Sequence, residues 1–295
     1  MSATAATPAG LAGKPQQDTG ARRPSTATIW RWELRKLVSQ KRTYLGLAIG
    51  IVFPLLFVIA EHLGHHHGHQ GDSIFFSEIT QSGLVTPVLT LIIECSFFLP
   101  LAGLLVAGDI VANEDGNGTL KTILTRSVDR GQVFAGKLLA AFTYATLAVF
   151  ISALFATILG VASWGFHDIT TLSGSQVPPG EALLLILAAN ACYLIPMAAV
   201  VSIGVLLSTV TRNSAAAVVG SLAVTLILAL IPVIPGLEGA RPYLLTTQYN
   251  AWQGLLRTPT DWGPVLHSLW VCALYAVPSL LAAYLVFLRR DVTGG

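Results

Sequence analysis

Six stretches of this chain, residues 44–60, 84–111, 138–164, 182–208, 215–234 and 265–288, are apolar for long enough to cross roughly 30 Å of hydrocarbon. Five of them contain no Asp, Glu, Lys or Arg, and the second holds only Glu94 and Asp109. A helix in water needs a polar face, and these have none, so the expected class is an all-α integral membrane protein with six transmembrane helices. Composition agrees: 11% of the 295 residues are charged, against about 25% in soluble domains, and mean hydropathy is +0.67. Pro54, Pro100, Pro196 and Pro278 fall inside four of the stretches, where a packed bundle tolerates kinks.

The segments between the spans orient the chain. Residues 1–28 are rich in Ala, Thr, Pro, Gly and Gln without apolar periodicity and are expected to form a disordered tail. They do not resemble a signal peptide, because the first apolar run begins only near Tyr44 and leads into Glu61 and a histidine cluster. Residues 29–42 place Trp30, Leu34, Leu37 and Val38 at helical spacing, with five cations from Arg31 to Arg42 around them. This predicts an amphipathic helix lying on an anionic leaflet, a soluble partner-binding helix being the alternative. Of 17 Lys and Arg, 15 fall before the first span, between spans two and three, between spans four and five, or after span six. That asymmetry predicts both termini on the cytoplasmic side, with external loops 61–83, 165–181 and 235–264. The net charge of +2 then divides into +8 on the cytoplasmic face and −6 on the external one. The expected organisation is a tail 1–28, an interfacial helix 29–42, a six-span domain 43–290 containing a cytoplasmic loop 112–137, and a tail 291–295. No internal repeat is visible at a fixed period, which weakens a secondary-transporter architecture.

The loop 112–137 is the most informative segment. Gly116 and Gly118 end the second span, Thr119 is placed to N-cap a short helix, and Leu120, Ile123, Leu124 and Val128 form an apolar stripe about two turns long. Lys121, Arg126 and Arg130 surround it. A solvated linker accounts for the charges but not for the stripe, which fits a groove on a cytoplasmic partner.

On Glu114, Gly118-Thr119-Leu120, Thr125-Arg126, Val128, Arg130 and Gly136-Lys137, set between the second and third of six spans behind an amphipathic helix, the chain resembles the permeases of type-2 ABC exporters, which occur as separate membrane subunits in bacteria. Ser127 departs from the proline expected after the arginine. The resemblance implies a multi-pass protein of the bacterial cell membrane, paired with a second permease copy, identical or related. Its loop would form a coupling helix against an ATP-binding subunit, with Glu114, Gly118, Leu120, Ile123, Leu124, Arg126, Arg130 and Lys137 as coupling residues. Glu114 and Arg130 would fix the loop or touch the partner, and Lys137 would anchor the third span. A purely structural role for Lys137 and Arg130, facing phosphate and water, is the alternative. The chain itself would bind no cofactor. ATP and magnesium would sit on the partner ATPase, and nucleic acid is not an expected partner. Gly131 to Lys137 mimics the first seven positions of a phosphate-binding loop, but Leu138 stands where a Ser or Thr must reach magnesium.

Other residues bear on chemistry. Glu94 is the one carboxylate well inside a span, where a charge costs roughly 2.5–3.5 kcal/mol, and is the candidate substrate-pathway residue. A secondary transporter gated by Glu94 is an alternative function, and a structural hydrogen bond the alternative role. Asp109 reads as interfacial, and Asn190 as an interhelical hydrogen-bonder. His62, His65, His66, His67 and His69 are candidate transition-metal ligands, in which case a copper-related ABC permease is the alternative. Cys95, Cys192 and Cys272 fall in apolar runs and suggest buried hydrophobes. Residues 243–256 suggest a segment dipping back to the outer interface, packed there or forming a gate. Intramembrane proteolysis lacks its parts: His267 is the one histidine in a span and Asp109 the one aspartate.

Overall fold

The computed structural model describes residues 25–66, 81–118, 129–211 and 213–289. The expected tails therefore lie outside the described residues, apart from Ser25 to Thr28. Helix α1, Thr26–Val38, starts three residues before the expected position, because the Ser25 hydroxyl caps it by accepting from the Thr28 amide. Ser39 and Gln40 separate it from α2, Lys41–His66.

Among the described residues, five helices are long and apolar enough to cross a membrane: α2, α6 (Arg130–Trp164), α7 (Pro179–Val210), α8 (Ser214–Leu230, continued by a 3-10 turn to Val233) and α9 (Gly263–Arg289). The second expected span is not one helix. It divides into α3, Thr86–Glu94, and α4, Phe98–Ala107, bent by 60° across Cys95 to Phe97. Pro100 favours the break, since a continuous helix would leave the Ser96 carbonyl without its donor and press the ring against it. Pro54, Pro196 and Pro278 sit inside unbroken helices.

Helix α7 is the centre of the bundle, with half of its span buried against 17–33% for the others. It packs most extensively on α9. Helix α6 crosses α2 and carries α1 across its beginning. At the other end of α6, Gly160 lies against Gly83 and Thr86, where a β-carbon would stand 2.2 Å from the Gly83 carbonyl oxygen. Beyond α6 comes a small hairpin, β1 (Ile169–Thr170) antiparallel to β2 (Gln176–Val177). The expected dipping segment is a 3-10 run, Leu245–Leu256, packed on α7 and α9 and burying Tyr249, Trp252 and Leu255. The segments that the charge count groups on one side share one end of the bundle, and the hairpin lies at the other.

Candidate functional site

The charged end of the bundle is built around Lys137. Ile29, Glu33 and Leu37 recur every fourth residue on α1, so one face of the helix buries a carboxylate between two apolar side chains. Gly136 lets that face approach α6: a β-carbon there would lie 2.7 Å from Cγ2 of Ile29. The Trp30 indole donates to Thr143 Oγ1 at 3.1 Å and fixes the rotation. Lys137, 1% exposed, then finds Glu33 Oε1 at 2.7 Å, Glu114 Oε2 at 2.6 Å and the Ile110 carbonyl at 3.3 Å. Three acceptors match the three ammonium protons. Lys36, partly exposed, binds the other oxygen of Glu114, so two ammonium groups balance the two buried carboxylates.

Glu114 belongs to α5, Ala112–Gly116, the last turn before the loop. The same turn is held from α7, where Ser208 Oγ accepts from the amides of Val111 and Ala112 at 3.0 Å each. The turn closes through Gly118 at φ +69°, a left-handed conformation that glycine adopts without penalty. On the far side of the loop, Asp129 caps α6 by accepting from the Gly131 amide at 3.0 Å, and Arg130 donates to the Leu288 carbonyl at 2.8 Å, at the end of α9. A further ion pair, Arg42 with Asp109, which also accepts from Ser214, ties α2 to the chain after α4 and to α8. Residues 119–128 thus leave from one fixed post and return to another. Leu120, Ile123, Leu124 and Arg126 lie outside the described residues.

Lys137 is neither snorkelling nor part of a phosphate loop. Residues 131–137 are helical, and the ammonium group is fully engaged. Arg130 does not simply face water, since it holds the last helix.

Glu94 ends α3 at the bend, 1% exposed. It accepts a hydrogen bond from Ser152 of α6, two turns from the Gly160 contact. Its Oε1 has no hydrogen-bond partner among the described residues. The broken backbone is satisfied from α7, where Tyr193 donates to the Cys95 carbonyl at 3.1 Å. Tyr193 in turn meets Tyr249 edge to face at 6.1 Å. Burial raises the pKa of the Tyr249 phenol, and its hydroxyl has no hydrogen-bond partner among the described residues.

The other candidates separate. Asp109, near the charged end of the bundle, is buried in its pair with Arg42. Asn190 donates to the Ile186 carbonyl of its own helix, not to a neighbouring one. His62 is hydrogen-bonded to the Val58 carbonyl at 3.0 Å and stacks near Trp164. His65 and His66 continue α2, and His67 and His69 lie outside the described residues. Among the described residues no group of three His, Cys, Asp or Glu is placed to hold a metal. His267 accepts from Trp270 and donates to the Pro242 carbonyl, which leaves neither ring nitrogen free as a base.

A family model described as "Protein of unknown function (DUF2705)" matches residues 75–293, about three quarters of the chain. The chain belongs to the DUF2705 family. Within this DUF2705 protein the match takes in both posts of the loop and the Glu94 break, but not α1. Two curated relatives align over 123 residues, 42% of this chain and 42% of their own length. They are named probable ABC transporter permease protein NosY, from Stutzerimonas stutzeri at 31% identity and Pseudomonas aeruginosa at 30%. Glu33, Ser152, Ser208 and Ser214 of the DUF2705 chain were not legible as site residues. Only for Glu33 was there a signal, its position midway between Ile29 and Leu37 on a helical face.

Proposed function

We propose that the chain is the membrane-spanning permease subunit of an ATP-driven ABC exporter, acting as a dimer and coupled to separate ATPase subunits through the segment between its second and third spans. The observation that carries this reading is the anchoring of that segment at both ends. Glu114 is locked by Lys137 and Lys36, and Arg130 by the end of α9. A force applied to residues 119–128 would reach α1, α6 and α9 together, because buried ion pairs and helix ends deform far less than a solvated loop. The names of the partial relatives and the resemblance of the loop support the same assignment. ATP and magnesium would be held by the partner, and the chain would sit in a bacterial cytoplasmic membrane with both termini inside.

A second reading follows from Glu94. A buried carboxylate with one open oxygen, at a bend in a span, suits a gradient-driven transporter as well as a substrate pathway. Reconstitution separates them. Transport by proteoliposomes that requires both internal ATP and the ATPase subunit supports the ABC assignment; transport by the isolated chain under a proton or sodium gradient supports the second.

A further inference from the structure

At the end of the bundle opposite the ion pairs, the hairpin, the start of α7 and the chain leaving the 3-10 run enclose a cleft of about 580 Å³. One acid, Glu181, and one base, Arg257, line it. Neither has an ion-pair or hydrogen-bond partner for its side chain among the described residues, and they do not pair with each other. Hydroxyls line the same cleft, Ser175 Oγ being 2.9 Å from Thr258 Oγ1. The remaining wall is apolar: Leu184 and Ala188 are one and two turns beyond Glu181 on the spanning helix α7, and Leu184 is 66% exposed. The cleft thus presents an unpaired carboxylate, an unpaired guanidinium and hydroxyl donors at the mouth, with an apolar strip running down into the membrane.

The geometry points to a binding site for a zwitterionic phospholipid with a primary-ammonium headgroup. Glu181 would accept from the ammonium, Arg257 and the hydroxyls would hold the phosphate, and an acyl chain would lie along Leu184 and Ala188. An anionic lipid without the amine would satisfy Arg257 but face Glu181 with like charge. A headgroup without acyl chains would leave the apolar strip in water.

The purified full-length chain, delipidated and titrated with phosphatidylethanolamine or phosphatidylglycerol, tests this by native mass spectrometry. The wild type is expected to retain phosphatidylethanolamine about three to five times better, the ratio a partly exposed ion pair supports. Glu181→Gln should erase the preference, and Arg257→Gln should weaken both lipids. Both side chains are exposed, so the variants should keep the wild-type unfolding temperature. Equal retention of the two lipids by the wild type, a preference that survives Glu181→Gln, or displacement by soluble phosphoethanolamine at lipid-like concentration would overturn the proposal.

Discussion

Lys137 shows how a charged side chain can be interior and still stabilising: every ammonium proton has an acceptor, and both carboxylates it meets are otherwise engaged by Lys36. Removing it leaves two buried carboxylates for one half-exposed lysine. Lys137→Met is therefore expected to cost about 3–5 kcal/mol in reversible unfolding, with Glu33→Gln restoring part of the loss in the double variant. Equal costs for the single and double variants would argue against a coupled network. Gly118 carries a smaller and purely conformational burden, and Gly118→Ala should destabilise by about 1 kcal/mol without altering the charge network. Glu114, Arg130 and Lys137 were legible from the sequence because they sit in a recognisable motif. Glu33 was not, because reading α1 as an amphipathic helix assigns charge to the solvent side, whereas here the buried stripe Ile29, Glu33, Leu37 contains a charge.

At the level of elements, hydropathy located five membrane-length helices but not the bent pair, α3 and α4, that stands where the second span was expected. A sliding apolar run is blind to a three-residue interruption, and Pro100 signalled only a kink where the structure has a 60° break. That break places Glu94 beside Ser152, and small residues on α6 hold the two helices together. Gly160→Leu would drive a side chain into the Gly83 backbone, so it should cost about 1–3 kcal/mol and separate α3 from α6. Glu94→Gln keeps an acceptor for Ser152 and should leave thermal stability within about 0.5 kcal/mol of wild type. In the reconstituted transporter the same variant should lose most of its transport; full transport would reduce Glu94 to a structural hydrogen bond.

For the whole molecule, the charge count and the coordinates agree on which segments share an end, because the positive-inside bias and the ion pairs reflect the same clustering of Lys and Arg with Glu33, Asp109 and Glu114. Which end faces the cytoplasm is an expectation that rests on the charge count alone. In a cysteine-free background, an impermeant maleimide should label a cysteine at Ser173 in intact cells and one at Asn117 only after permeabilisation; the opposite pattern would invert the topology. On the proposed reading, function rests on the loop between the two posts. The tagged chain, purified from its native host, is expected to carry magnesium-dependent ATP hydrolysis into the eluate, and Leu120→Asp, Ile123→Asp and Leu124→Asp together should remove that activity while the chain remains folded. Undiminished ATP hydrolysis with the triple variant, or none with the wild type, would contradict coupling through this segment.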